Sequence, residues 1–296
     1  MSVLSLKQVT KYYGRIQALN KVSFDVPEGS VFGILGPNGS GKTTLLSIIL
    51  DVLKPNEGDF SWFGHPGSPD TRKQIGSLLE TPNFYHYLNA INNLRITHSI
   101  SGRGNEAGIH SVLQKVNLYE RRFSRFSTYS LGMKQRLAIA ASLLGEPKVL
   151  VFDEPTNGLD PVGIAEIREL IIELNKKGHT IIMASHLLDE VEKVCTHVAI
   201  LKKGNLLTSG SVSDVLVDED VIELGAEDLE KLFTLLQNYS ASSAVKNDAT
   251  VELTFAKGTA DPAAINRFCF DNGITLHHLA VKKKRLETKF FELTNN

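Results

Sequence analysis

A glycine-rich segment at residues 36–44 has the residue types and spacing that bind phosphate. It reads Gly-Pro-Asn-Gly-Ser-Gly-Lys-Thr-Thr and matches the pattern G-x-x-x-x-G-K-[ST]. Glycines let the backbone turn so that successive N–H groups face one anion, and the start of a following helix adds partial positive charge. The segment therefore predicts a site for the phosphates of a nucleoside triphosphate, formed by Gly36, Pro37, Asn38, Gly39, Ser40, Gly41, Lys42, Thr43 and Thr44.

The flanking residues supply the strand and the helix that such a loop needs. Residues 31–35 form an apolar run typical of a buried strand, and residues 45–50 are the apolar start of a helix. In that setting we expect Lys42 to contact the β- and γ-phosphates and the Thr43 hydroxyl to bind the Mg²⁺ that bridges them. An ordinary glycine-rich turn would match the loop alone, but it would not require both flanking elements.

Two adjacent carboxylates follow a second apolar run. Residues 149–152 read Val-Leu-Val-Phe and are followed by Asp153 and Glu154. Because α/β sheets bind ligands at the C-terminal ends of their strands, we expect this pair beside the phosphate loop. There Asp153 would hold Mg²⁺, directly or through water, and Glu154 would polarise the attacking water. Taken alone, the pair is also compatible with solvated acids at a strand end; together with the loop it predicts a nucleoside triphosphatase.

The segment upstream of Asp153 resembles a known family. Residues 129–137 read Tyr-Ser-Leu-Gly-Met-Lys-Gln-Arg-Leu, at the place where the ATP-binding subunits of ATP-binding cassette (ABC) transporters carry their LSGGQ signature. Ser130 and Gly132 match the two signature positions that the resemblance assigns to the γ-phosphate, whereas residues 129, 131 and 133 depart from the consensus. Ser130 also suits the N-cap of a helix over residues 131–144, which is its alternative role.

Further segments resemble other motifs of the same family. Residues 157–160, which end in Asp160, resemble its D-loop, and His186, one strand after Glu154, resembles the histidine that hydrogen-bonds the γ-phosphate. Residues 10–14 resemble the segment that stacks on adenine; Tyr13 aligns better with the stacking position, with Tyr12 as the alternative. The resemblance covers about residues 3–216, and its motifs follow the family's order.

One position departs from the family where metal is expected to bind. The family usually has Gln at this point, as a contact to Mg²⁺ and water that also senses the membrane partner, and this chain has Glu80. A carboxylate still binds Mg²⁺ but adds negative charge near the phosphates, so metal affinity and coupling are expected to differ. Glu80 and the Ser-Leu-Gly-Met signature together resemble the bacitracin and lantibiotic exporter branch.

The elements around these motifs predict an α/β fold. Residues 3–9 and 18–26 alternate apolar and polar side chains as antiparallel strands do, and residues 82–145 have helical periodicity. Apolar strands return at residues 149–152 and 180–184, joined by a helix that begins after Asp160. With the family resemblance, we expect a P-loop NTPase (RecA-like) core with an antiparallel β subdomain and a helical insert at about residues 82–145, within an ABC-type ATP-binding domain at residues 1–216.

A change of pattern near residue 216 predicts a second domain. Residues 217–220 read Val-Asp-Glu-Asp and are expected to form an acidic link. Residues 217–296 then alternate strand-like and helical segments, which favours a small C-terminal α+β accessory domain. Its last part, residues 286–294, resembles the accessory domain of some drug-exporter ATPases.

Composition and charge indicate which partners and which cellular compartment are expected for the chain. Its 296 residues include 32 basic and 33 acidic side chains, and the net charge of -1 gives no electrostatic preference for nucleic acid or lipid. Cys195 and Cys269 lack the spacing of a metal motif, and we expect buried thiols in a reducing cytosol. The sequence has no signal peptide and no apolar run of about eighteen residues, so we expect contact with the membrane only through a partner.

The resemblance implies a dimer that ATP closes. Two copies would meet head to tail, with each ATP between the phosphate loop of one copy and Ser130 and Gly132 of the other, and Glu154, Lys42 and His186 acting in hydrolysis with Mg²⁺. The expected function is the ATPase subunit of an exporter of a drug, peptide antibiotic or similar compound, on the cytoplasmic face of the membrane. A separate permease would contact residues 81–100. Two alternatives stay open: a soluble ABC-type ATPase acting on ribosomes or DNA, and a regulatory ATP-binding module.

Overall fold

The chain divides into two compact units, Met1–Ser211 and Val212–Asn296. The computed structural model describes residues 1–79, 81–216, 219–237, 239–241, 243–256, 258–282 and 290. The division falls after residue 211, whereas the sequence pattern placed it after residue 216.

The first unit combines two β-sheets with a set of helices. Its elements in chain order are β1 (Ser2–Tyr13), β2 (Ile16–Pro27), β3 (Val31–Leu35), α1 (Lys42–Ile49), β4 (Glu57–Trp62), β5 (His65–Pro66), α2 (Pro69–Lys73), β6 (Ile75–Leu78), α3 (Ala90–Ser101), α4 (Glu106–Lys115), α5 (Leu131–Ser142), β7 (Val149–Asp153), α6 (Pro161–Lys176), β8 (Thr180–Ser185), α7 (Leu188–Val194), β9 (His197–Lys202) and β10 (Asn205–Ser211), with short 3₁₀ helices at Tyr119–Arg121 and Phe126–Thr128.

A six-stranded sheet in the order β10-β9-β3-β8-β7-β6 forms the centre of this unit. All its neighbouring pairs are parallel except β9 and β10. β3, β7 and β8 are buried along their whole length, as parallel strands are when both sheet faces are covered. Because parallel strands end at the same edge of a sheet, the segments that follow β3, β7 and β8 are brought side by side.

The second sheet, in the order β2-β1-β4-β5, is antiparallel. It shares one apolar core with β3 and α1. The ring of Phe24 on β2 stacks on that of Phe32 on β3 at a centroid distance of 5.2 Å, and Trp62 Nε1 donates a hydrogen bond to the Ile49 carbonyl oxygen at 2.8 Å. This core connects the end of β1, where Tyr13 lies, to the loop after β3.

The segment between β6 and β7 is helical, with α3, α4 and α5 packed on one another. Side chains cap all three helices; at the start of α5 the predicted cap Ser130 accepts a hydrogen bond through Oγ from the Met133 N–H at 3.3 Å. At its other end α5 lies very close to β6, because Gly76 has no side chain: a Cβ there would lie 2.1 Å from the Ser142 carbonyl oxygen. The sequence-based expectations of an α/β core, an antiparallel subdomain and a helical insert are confirmed.

The second unit is a small α+β domain, as predicted. Its elements are α8 (Val212–Leu216), β11 (Glu219–Ala226), α9 (Leu229–Leu236), β12 (Ser243–Lys246), β13 (Val251–Ala256), α10 (Pro262–Asp271) and β14 (Leu276–Lys282). The antiparallel sheet has the order β12-β13-β11-β14, the arrangement of a split β-α-β fold. Its apolar core includes Leu224, Leu232, Leu253 and Ile265.

The prediction of an acidic link at residues 217–220 is wrong for residues 219 and 220. Glu219 and Asp220 begin β11, because they pair with Ala256 and Phe255 of β13 and so extend the ladder beyond the apolar run. Residues 217 and 218 lie outside the described residues, as does the segment 286–294 except for residue 290.

Both cysteines are buried and are free thiols. Burial raises the pKa of the Cys195 thiol, so the reactive thiolate is scarce at neutral pH. No helix in the described part of the chain is both long enough and apolar enough to span a bilayer.

We expect Gly76→Ala to destabilise the first unit by about 2 kcal/mol or more, because the added methyl group would overlap the Ser142 carbonyl oxygen and force α5 away from β6. The measurement is urea unfolding followed by the fluorescence of Trp62, the one tryptophan of the chain, which is buried in this unit. The matched control is Gly108→Ala within α4, where an added Cβ has room and a better helix former is expected to be neutral or stabilising. Equal stability of Gly76→Ala and the parent chain would contradict this account of the packing.

Candidate functional site

The main cavity of the first unit lies where β3 and β7 end. Its volume is about 800 Å³. It is lined by Tyr13, Ile16, Gln17, Ala18, Asn38, Gly39, Ser40, Gly41, Lys42, Thr43, Thr44, Thr81, Pro82, Leu131, Gln135, Asp153, Glu154, Asn157 and Lys203.

The glycine-rich loop presents unsatisfied polar groups to this cavity. Gly41, at the N-cap of α1, has a φ of 105° and no side chain caps the helix, so the first N–H groups of α1 have no intrahelical partner. A Cβ on Gly41 would lie 2.6 Å from the Ala18 carbonyl oxygen, so this position needs glycine. The Ser40 hydroxyl is buried and has no hydrogen-bond partner among the described residues. A phosphate in the cavity would satisfy the free N–H groups of α1, as expected at the start of such a helix.

Gly36 and Pro37, the first two loop residues, do not line the cavity. Their carbonyl oxygens instead accept hydrogen bonds from the buried Lys42 Nζ, at 2.8 Å and 3.4 Å. A Cβ on Gly36 would lie 2.4 Å from the Leu201 carbonyl oxygen and closer still to the Ser40 hydroxyl, so glycine lets the loop sit directly against the end of β9.

The carboxylate of Glu154 contacts the side chains of both Lys42 and His186. Its Oε1 lies 3.7 Å from Lys42 Nζ, and its Oε2 lies 2.8 Å from Nδ1 of His186. The residue has a φ of 49°, an uncommon value for a residue with a side chain, and its N–H donates to the Ala184 carbonyl oxygen at 3.0 Å. Glu154 is therefore in contact with two residues that are distant from it in the sequence. The contacts form because β7, β8 and the loop after β3 end at the same edge of the sheet.

The groups available for Mg²⁺ are oxygen ligands. Thr43 and the buried Asp153 both line the cavity. The described residues contain no group of three or more His, Cys, Asp or Glu that would hold a metal ion by themselves. Mg²⁺ usually keeps several waters and takes phosphate oxygens as ligands beside one or two protein groups. Glu80, the third metal ligand expected from the sequence, lies outside the described residues.

Ser130, Gly132 and Asp160 lie outside the cavity of their own chain. Ser130 and Asp160 are exposed and cap helices; the Asp160 Oδ1 accepts a hydrogen bond from the Gly163 N–H at 2.8 Å at the start of α6. Gly132 has no atom of another residue near its Cβ position. The neighbouring Leu131, by contrast, lines the cavity.

The structure places Tyr13, and not Tyr12, at the cavity wall. The Tyr13 side chain is 46% exposed, which leaves part of its ring accessible for stacking. The Tyr12 hydroxyl accepts a hydrogen bond from Gln17 Nε2 at 3.2 Å.

Sequence reasoning missed several cavity-lining residues, namely Ile16, Gln17, Leu131, Gln135 and Lys203. Helical periodicity was a usable signal for Gln135, because it follows Leu131 by four residues on one face of α5. Lys203 lies in the turn between β9 and β10, where Gly204 and Asn205 are typical turn residues. The turn is readable from the sequence, but its nearness to the phosphate loop is not.

Comparison with known proteins gives the family. A family model described as ABC transporter matches residues 19–157. The bacitracin transport ATP-binding protein BcrA of Enterococcus faecalis is 33% identical over 98% of this chain and 96% of its own length. The lantibiotic transport ATP-binding protein SrtF of Streptococcus pyogenes is 36% identical over 78% of this chain and 96% of its own length.

A solved structure shows the same fold. The ATP-binding cassette MJ0796, in a dimeric post-hydrolysis state bound to ADP and Pi, aligns with a TM-score of 0.63 and 27% identity over 71% of this chain and 98% of that chain. The family resemblance expected from the signature segment and the P-loop NTPase fold are thereby confirmed. This chain belongs to the family of ABC transporter ATP-binding proteins, the subunits that hydrolyse ATP for transport.

Proposed function

We propose that this chain powers an exporter by closing and opening as an ATP-dependent homodimer on the cytoplasmic face of a membrane permease. The observation that carries the proposal is the joining of Glu154 to Lys42 and His186 beside an uncapped phosphate loop. Two relatives are named for the transport of bacitracin and of a lantibiotic, which supports a peptide antibiotic or a similar compound as the exported cargo.

The cavity residues have distinct roles in this proposal. Residues 36–44 surround the phosphates, and Tyr13 stacks on the adenine ring. Thr43 and Asp153 would hold Mg²⁺, with Glu80 proposed from the sequence as the third ligand; when bound, the ion neutralises charge on the phosphates. Lys42 exchanges its hydrogen bonds with the Gly36 and Pro37 carbonyl oxygens for the β- and γ-phosphates.

Glu154 and His186 act on the water and on the γ-phosphate. The Glu154 carboxylate accepts a proton from the attacking water, which makes the water a better nucleophile. His186 Nδ1 contacts that carboxylate at 2.8 Å; in the doubly protonated imidazolium form both ring nitrogens donate, one to Glu154 and the other to the γ-phosphate. The negative charge of Glu154 lies beside the two groups that the proposal assigns to the γ-phosphate.

The second half of each site comes from the other copy. Ser130 and Gly132 do not reach the cavity of their own chain, and Ser130 is exposed at the start of α5. A head-to-tail partner would direct that helix start, with its partial positive charge, toward the γ-phosphate. Asp160, exposed at the start of α6, lies at the same proposed interface. The dimeric state of the MJ0796 cassette supports this arrangement.

The permease contact is proposed for residues 81–100, before and within α3. Tyr85 and Tyr87 in this segment are 50% and 70% exposed, and their rings meet edge to face at 6.0 Å. Exposed aromatic side chains of this kind are common anchors in protein interfaces. The second unit is proposed as an accessory domain.

We expect Glu154→Gln to reduce ATP turnover by at least about 100-fold, because the amide cannot accept the proton of the attacking water. ATP binding should persist, since Lys42 and the loop are unchanged, and an ATP-bound dimer should accumulate in size-exclusion chromatography with light scattering. Glu28→Gln, at an exposed position away from the cavity, is the control and should hydrolyse normally. Turnover at the parent rate by Glu154→Gln would refute the assigned role.

Ser130→Asp separates phosphate recognition from helix capping. Asp is as good an N-cap as Ser, so α5 should stay folded, but its charge would repel the γ-phosphate of the partner's ATP. We expect an about 100-fold loss of turnover and loss of the ATP-dependent dimer, with ATP binding to the single chain retained. The matched control is Asn105→Asp at the N-cap of α4, which should keep full activity. Full activity of Ser130→Asp would show that the residue is only a cap.

The permease partner is tested by membrane fractionation of cells that make the full chain. We expect the protein in the membrane fraction and its release into the soluble fraction when the permease is removed or solubilised. Sedimentation with ribosomes or DNA would instead support a soluble ABC-type ATPase. A purified protein that binds ATP without steady turnover would support a regulatory module.

A further inference from the structure

The turn between β9 and β10 is fixed against the phosphate loop by backbone hydrogen bonds. The Gly204 N–H donates to the Ser40 carbonyl oxygen at 3.0 Å, and the Gly204 carbonyl oxygen accepts from the Asn20 N–H at 2.9 Å. Gly204 has a φ of +80°, and a Cβ there would lie 2.7 Å from the Ala18 carbonyl oxygen. The turn therefore packs between the phosphate loop and β2 in a way that needs glycine.

Side-chain hydrogen bonds make this turn more rigid. Asn20 Nδ2 donates to Asn205 Oδ1 at 2.9 Å, and Asn205 Nδ2 donates to the Lys203 carbonyl oxygen at 3.1 Å. Lys203 has a φ of 48°, so its backbone is held in the left-handed region. Lys203 is thus held one residue before Gly204, whose N–H bonds to Ser40; the residue is exposed and lines the cavity.

Lys203 supplies a positive charge that nothing in the proposed mechanism uses. Of the described residues that line the cavity, Lys42 and Lys203 are the basic ones. Lys42 is buried and engaged by the Gly36 carbonyl oxygen and Glu154. None of the ion pairs among the described residues includes Lys203. The ammonium group is therefore available to an anionic ligand.

The position of Lys203 indicates which part of the nucleotide it meets. In the proposed site, the terminal phosphates bind at the uncapped start of α1 and at Lys42. The nucleoside binds against uncharged side chains, namely the ring of Tyr13, the aliphatic chain of Ile16 and the amide of Gln17. Lys203 immediately precedes Gly204, which packs against Ala18, and it lines the same cavity as this uncharged group of residues, on a flexible four-carbon stem. The phosphate nearest the nucleoside would otherwise have no side-chain cation from the described cavity wall.

We propose that Lys203 is a nucleotide-binding residue that pairs with the α-phosphate. The inference rests on the proposed nucleotide site and adds to it a residue outside the motifs that define the family resemblance. The contact is present in ATP and ADP alike, so it strengthens binding of both without favouring the transition state. Its loss should therefore raise KM and leave kcat unchanged.

The test compares Lys203→Met with Lys202→Met in the full-length protein. We expect Lys203→Met to weaken ADP binding about fivefold in isothermal titration calorimetry, which corresponds to the upper end for a solvent-exposed ion pair. KM for ATP should rise by the same factor with kcat unchanged. AMP should lose the same factor in competition experiments, adenosine should lose none, and Lys203→Arg should bind like the parent chain. Lys202→Met, whose side chain does not line the cavity, should bind ADP normally.

Each result that departs from this pattern has a defined meaning. Unchanged ADP binding by Lys203→Met, an equal loss for adenosine, or a fall in kcat alone would overturn the α-phosphate contact. Lys42→Ala distinguishes this failure from failure of the proposed site itself, because it should abolish ADP binding if the nucleotide lies in this cavity. Normal ADP binding by Lys42→Ala would mean that the nucleotide binds elsewhere.

Discussion

The parallel pairing of β3, β7 and β8 is the constraint on which the site depends. β8 is bonded to both β3 and β7, so the ends of all three strands lie at one edge of the sheet. The segments that follow these strands supply Lys42, Glu154 and His186, which are more than a hundred residues apart in the chain at the extremes. Full burial of the strands makes this register costly to change, because a slip would move apolar side chains out of the core.

The polar groups at this edge contact one another. Glu154 contacts Lys42 and His186, and Lys42 also bonds to the loop's own carbonyl oxygens. Nucleotide binding in the proposed site thus exchanges one set of contacts for another and does not simply fill a positive cavity. Burial of Lys42 is tolerated because its ammonium group is hydrogen-bonded to carbonyl oxygens of the loop.

The proposed division of the site between two copies rests on where two helices begin. α1 starts inside the cavity and leaves its first N–H groups to a ligand, whereas α5 starts at an exposed serine outside the cavity. Both are helix N-termini able to bind an anion, and because only the start of α1 lies in the cavity, one chain supplies half of the proposed site. Gly76 matters to this geometry because it sets how closely α5 approaches the sheet.

The sequence by itself determined the local chemistry: a loop with glycine where positive φ is needed, carboxylates at the end of a buried strand, and caps at Ser130 and Asp160. These follow from backbone preferences and short-range periodicity, which act between residues close in the chain. Only the tertiary structure decided that Tyr13 and not Tyr12 lines the cavity, that Glu219 and Asp220 join a strand, and that Lys203 stands beside Ser40. Those outcomes depend on strand register and on contacts between distant segments, and a single sequence carries no local signal for either.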